Sequence, residues 1–182
     1  GNLIVAGSDS VFRIEKGKYN IMLSGANVAD LYPDGLHIHE QRPDFNLRVS
    51  NRFIYENGKP VFDIDIPGGV VFSRLSRHDP SRLLLTDYRR VYYLRRIEGK
   101  WRYVDVLDIE QMAYNLIEGE DGDFWIEGGL GRVFRVKLED ESASFVEYDA
   151  SLGLPDKWVE IFNFKGNILF SGLDGFMVFD SE

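Results

Sequence analysis

Apolar residues along this chain fall in short runs that mostly alternate with polar ones. The three-to-four-residue spacing of an amphipathic helix is nearly absent. The runs are rich in Val, Ile, Leu, Phe, Tyr and Trp, and clusters of Gly, Asp and Asn separate them. That pattern predicts short antiparallel strands joined by tight turns. One stretch, "YDASLGLPDKWVEIF" from Tyr148, has room for a single helical turn, but Gly153 and Pro155 favour a loop.

The runs also repeat. "NLIVAGSDSVFRIEKGKYNIML" begins at Asn2, "NLRVSNRFIYENGKPVFDIDI" at Asn46 and "RLLLTDYRRVYYLRRIEGKWRYVDVL" at Arg82. "DFWIEGGLGRVFRVKLEDESASFVEY" follows from Asp123 and "NILFSGLDGFMVFD" from Asn167. With Leu3, Leu47, Leu83, Phe124 and Ile168 as anchors, the spacings are 44, 36, 41 and 44 residues. A rival register matches "FIYENGKPVFDI" to "LIVAGSDSVFRI", but it leaves uneven spacings of 50 and 30. It also misaligns a recurrent turn: Gly17, Gly58 and Gly99, in Glu-Lys-Gly-Lys, Glu-Asn-Gly-Lys and Glu-Gly-Lys, stand 41 residues apart each time. Glycine there suits a hairpin turn with positive φ.

Each unit parses into four strands. In the fourth these are "QMAYNLIEG", "DFWIEG", "RVFRVKL" and "ASFVEYD". A period of about 41 residues with four strands per unit predicts an all-β fold, a β-propeller segment of four-stranded antiparallel blades. A twisted sheet with two apolar faces cannot bury both alone, whereas radial stacking buries them. A β-sandwich explains the strands but not the equal spacing. The blades are expected at 1–25 (partial), 36–67, 70–109, 110–149 and 157–182 (partial). The segment is thus incomplete at both ends, and the expected partners are further blades of a longer protein. Self-association through the open ends, giving a dimer, is also expected.

Composition narrows the chemistry. A formal charge of −9 opposes nucleic-acid binding, and the Arg89-Arg90 and Arg95-Arg96 pairs read as solvated positions on strands. Zero cysteines exclude disulfides, thiol catalysis and thiolate metal sites. No apolar window is long enough to span a membrane as a helix, so no membrane contact is expected of this segment.

The stretch "EGEDGDFWIEGGLGRVFRV", Glu118 to Val136, resembles the two-component-regulator propeller repeat. Asp121, Gly122, Phe124, Trp125, Ile126, Gly128, Gly131 and Val133 fill that pattern, and Gly153-Leu154-Pro155 supplies the element that precedes the next unit. "GNILFSGLDGFMVFD" fills it again. In the first three units Ile4, Arg48 and Leu84 replace the Trp, and the Gly-Leu-Pro element is missing. The resemblance implies the extracytoplasmic, periplasmic sensor region of bacterial hybrid histidine kinases and related regulators with a three-tyrosine domain. The function so implied is non-enzymatic ligand sensing, with carbohydrate as a ligand. The alternatives are a propeller-fold carbohydrate-active enzyme and a plain protein-interaction scaffold.

Motifs with chemical meaning are few. "GGLGRV" looks like a phosphate loop, but a strand follows it, not the helix whose N-terminus would hold a pyrophosphate; no cofactor is predicted. "EGEDGD" lacks the spacing of a calcium loop and reads as a solvated turn. His37 and His39 share a face if "HIHE" is a regular strand, and Asp34 or Asp44 could complete a set of ligands, but no metal site is predicted. His78 reads as a turn residue. No catalytic triad or paired carboxylates stand out. Of the aromatics, Trp101, Trp125, Tyr88, Tyr92 and Tyr93 read mostly as wedges between blades, and Trp158 as an exposed loop residue. The ligand-binding candidates are therefore Trp158, Asp156 and Lys157, followed by His37 and His39.

Overall fold

The computed structural model describes residues 3–6, 10–15, 18–24, 36–41, 46–172 and 175–179, with side chains from Leu47 onward. Among the described residues, strands form five sheets, each an antiparallel meander. The first holds β1 (Leu3–Ala6), β2 (Ser10–Glu15) and β3 (Lys18–Ser24). The second holds β4 (Leu36–Gln41), β5 (Asn46–Ser50), β6 (Phe53–Glu56) and β7 (Lys59–Asp63). The third holds β8 (Phe72–Leu75), β9 (Arg82–Thr86), β10 (Arg90–Ile97) and β11 (Lys100–Asp108). In the fourth are β12 (Asn115–Glu118), β13 (Phe124–Glu127), β14 (Val133–Leu138) and β15 (Ala143–Tyr148). The fifth has β16 (Glu160–Phe164), β17 (Asn167–Gly172) and β18 (Gly175–Val178). This is the all-β, propeller-type architecture that the repeats predict.

Stacking follows from alternation along the strands. Leu83 and Leu85 on β9, with Tyr92, Leu94 and Trp101, pack against Leu47, Val49 and Ile54 of the second sheet. Leu84 between them points the other way and packs with Val91 and Tyr93 against Phe124, Ile126 and Phe134 of the fourth. Trp125, between Phe124 and Ile126, then packs against Ile161, Ile168 and Phe170 of the fifth. The central strands thus read as unbroken apolar runs because both their faces are buried. Each such side chain stabilises the stack by about 2 kcal/mol. The far face of the fifth sheet instead exposes Phe162, Phe164, Phe176 and Val178.

The turns follow the glycines. Asn57 and Gly58 (φ 50° and 78°) join β6 to β7, and Glu98 and Gly99 (φ 51° and 78°) join β10 to β11. Two consecutive positive φ values make these the hairpin turns whose twist matches paired strands. The stretch after Tyr148 does contain a short 3-10 turn, Ala150–Leu152. Asp149 caps it by accepting from the Ser151 N–H, and Gly153 ends it at φ 93°. β16 then starts at Glu160, and Trp158 belongs to the loop before it.

Candidate functional site at the convergence of the inner strands

β4, β8, β12 and β16, the first strands of successive sheets, lie beside one another, so they form the inner wall of the stack. Arg74 on β8, Arg77 just after it, Asn115, Ile117 and Glu118 on β12, and Ile161 and Asn163 on β16 line a cleft of about 320 Å³.

The cleft is held by side chains that reach one blade over. Arg74 Nε and Nη2 donate to the Leu116 carbonyl at 3.3 and 3.0 Å. Asn115 Nδ2 donates to the Ile161 carbonyl at 3.2 Å, and Asn163 Nδ2 to the Glu118 carbonyl at 2.9 Å. These bonds span 42, 46 and 45 residues, so each is an inter-blade tie. The Glu118 carboxylate, itself buried, accepts from Ser76 Oγ at 2.6 Å and from the Arg77 N–H at 2.7 Å. Among the described residues no carboxylate lies within ion-pair distance of Arg74. Partial burial lowers the pKa of Arg74 from the ordinary arginine value, against the opposing pull of the Glu118 charge.

A second carboxyl stands near the start of β16. Glu127 is buried and accepts weakly from the Ile161 N–H at 3.4 Å. Burial raises its pKa above the ordinary glutamate value, the Ile161 N–H opposes that shift, and the Glu160 charge adds to it.

The loop 153–158 lies at the end of the stack where the chain enters β16. Gly131 seats this loop: a Cβ there would collide with the carbonyl oxygens of Pro155 and Lys157. Asp156 and Lys157 are exposed, and the Trp158 side chain is 49% exposed. Trp158 meets Tyr114 edge to face, with ring centroids 4.7 Å apart. The loop candidates therefore come together, and Tyr114 joins them. Tyr114 is recognisable after the fact because it stands just before β12, much as Trp158 stands just before β16.

The other two candidates are His37 and His39. Both lie on β4, described here at the backbone only, where His37 pairs with Val49, Ile38 with Arg48 and Glu40 with Leu47. The pairing register shifts between Ile38 and Glu40, at His39. Asp34 and Asp44 lie outside the described residues. Among the described residues no group of three His, Asp or Glu side chains is placed to hold a metal ion.

The remaining motifs have structural partners. The "EGEDGD" acids are committed: Asp123 and Asp121 pair with Arg135 at 2.6 and 2.9 Å, Glu118 with Ser76 and Arg77, and Glu120 with Arg77 at 3.7 Å. "GGLGRV" is a hairpin turn closed by the Gly128 N–H to the Arg132 carbonyl, and it leads into β14. His78 sits in the turn after β8, with Nε2 3.3 Å from the Gly119 carbonyl. Trp101 and Trp125 are buried between sheets, as are Tyr92 and Tyr93, whereas Tyr88 is 52% exposed.

No protein-family model matches the chain, and no curated protein matches it. Solved structures do. One, a streptogramin B lyase, is 15% identical with a TM-score of 0.60; the match covers all of this chain and 66% of that one. A second is a catalytically inactive variant of virginiamycin B lyase from Staphylococcus aureus with quinupristin. It is 14% identical with a TM-score of 0.46, and covers 94% of this chain and 52% of the other. The first likeness shows the fold; the chain spans less than two thirds of either neighbour. These findings correct the functional expectation. A solved structure that shares the architecture is a lyase, and the non-enzymatic two-component sensor implied by the repeat resemblance is withdrawn.

Proposed function

We propose that the chain is the substrate-holding part of a propeller enzyme that cleaves an anionic, ring-bearing substrate, acidic carbohydrates being the class that suits it. The observation that carries this reading is Arg74. Guanidinium has five N–H donors, and Arg74 spends its described bonds on one carbonyl, Leu116. An arginine in a cleft wall, with no carboxylate partner among the described residues, is suited to a bound carboxylate. Asn115 and Asn163 add amide groups to the same wall. The Tyr114–Trp158 pair offers a partly exposed aromatic surface for a sugar ring. The streptogramin B lyase supplies a fold-level precedent for bond cleavage on such an architecture, and no residue role is taken from it.

The test is turnover. The intact protein is incubated with uronate-containing oligosaccharides, and new reducing ends and the ultraviolet absorbance of a new conjugated double bond are followed. Arg74→Met should lower turnover by about 100-fold, the order seen when an electrostatic donor is removed from a reacting group. Trp158→Ala should raise KM by about tenfold with a smaller effect on kcat. Failure of the unaltered protein to cleave any acidic oligosaccharide, or full activity in Arg74→Met, would refute the reading.

A further inference from the structure

One row of side chains recurs on the face that each sheet turns toward the next. In the third sheet it is Arg74, Leu84 and Tyr93, and in the fourth Ile117, Trp125 and Arg135. Leu84 and Trp125, at the centres of these rows, are fully buried. The same row of the fifth sheet is Phe162, Leu169 and Val178, paired across β16, β17 and β18. Here Leu169 is only half-buried, Phe162 and Val178 are exposed, and so are Phe164 and Phe176 beside them. The Phe162 and Phe176 rings stand edge to face with centroids 6.5 Å apart, so they share this side. The four exposed side chains offer roughly 400 Å² of apolar surface, the size of the patches through which proteins make contacts.

Two charges stand at opposite ends of the same face. Glu160 alternates with Ile161, which packs on the fourth sheet, and so points outward with Phe162 and Phe164. Lys165 lies in the turn at the other end of β16, with Nζ 5.3 Å from the Phe164 ring centroid. Among the described residues neither Glu160 nor Lys165 makes an ion pair.

These positions select the occupant. A sheet stacked here has to be apolar along its middle, with a cation opposite Glu160 and an anion opposite Lys165. A second copy of the same face meets both conditions. A two-fold axis along the Phe162–Leu169–Val178 row reverses the strand direction and sets each member of the row opposite itself. Each Glu160 then faces the Lys165 of the other copy, and the two sheets pack with their strands aligned.

We propose that two copies of the chain associate through the far faces of their fifth sheets, Leu169 against Leu169, with Glu160 of each beside Lys165 of the other. The proposal does not depend on the chemistry of the cleft. The patch is about half of the roughly 800 Å² per partner in a standard stable interface, so the dimer is weak, with a Kd in the micromolar range or above. The test is sedimentation equilibrium of the intact protein from about 5 to about 500 μM, a range that brackets such a Kd. The mass should rise from that of one chain toward that of two. Phe176→Glu, at a position 72% exposed and so tolerated by the fold, should stay a single chain. Glu160→Lys and Lys165→Glu each set like charges opposite one another and should weaken association about tenfold, and combining them should restore it. A single chain at every concentration overturns the proposal. So does a dimer that survives Phe176→Glu, because it would be joined elsewhere. Charge reversals that have no effect, or that weaken association as much together as singly, overturn it as well; pairing through the free edge of β18 would leave association indifferent to them.

Discussion

At the scale of single residues, the two buried glutamates differ in how their oxygens are partnered. Glu118 has a hydroxyl and a backbone N–H aimed at its oxygens, at 2.6 and 2.7 Å. Glu127 has one weak bond, at 3.4 Å, with Glu160 nearby. Burial is the largest influence on Glu127, and it disfavours the charged form. Its folded pKa is therefore above its unfolded value, and the folded state holds the proton more tightly. Stability linked to Glu127 is complete below the unfolded pKa, about 4.3 for glutamate, and is lost as pH rises through the higher folded pKa. Glu127→Gln removes that loss. The variant should melt no lower than the unaltered protein at neutral pH, and its advantage should shrink as the solution is made acidic. Melting curves across pH check this; an advantage that grows in acid would show that the Ile161 N–H, not desolvation, governs the carboxyl.

Among elements, the loop 153–158 shows how a short sequence signal acquires its place. The Gly-Leu-Pro segment predicts a loop, and its seat comes from Gly131 in the preceding blade. Gly131→Ala combines a strained φ of 71° with a collision against two backbone carbonyls, neither of which can swing aside as a side chain would. It should cost more than the roughly 1 kcal/mol of an ordinary glycine replacement at positive φ. The loop should also shift, changing Trp158 emission. A variant with unaltered melting and unaltered emission would mean that the loop is not pinned there. Strands and hairpins were legible in the sequence because their causes are local: alternating apolar residues and positive-φ turns at Asn57-Gly58 and Glu98-Gly99. Arg74 and Tyr114 were not, since their significance depends on Leu116 and Trp158, each supplied by the neighbouring blade. The register shift at His39 was equally hidden, because a slip in register leaves no mark in the apolar pattern.

For the molecule as a whole, the question is what makes the blades unfold together. Polar ties and apolar stacking both cross each boundary, and their magnitudes differ. Between the third and fourth sheets Glu118 serves Ser76 and Arg77, while Leu84, Val91, Tyr93, Phe124, Ile126, Phe134 and others interdigitate beside it. Removing the carboxylate strands a buried hydroxyl and a backbone N–H, at a cost of about 3 kcal/mol. Each apolar side chain in the boundary contributes about 2 kcal/mol, and there are several, so stacking dominates the coupling. Glu118→Ala should therefore lower the denaturation midpoint while leaving one cooperative transition. Variants retaining a single tryptophan separate the two sides, since Trp101 packs between the second and third sheets and Trp125 between the fourth and fifth. In the Glu118→Ala background their unfolding curves should still coincide. If the Trp101 and Trp125 curves part, the carboxylate tie rather than the apolar boundary is what joins one blade's fate to the next.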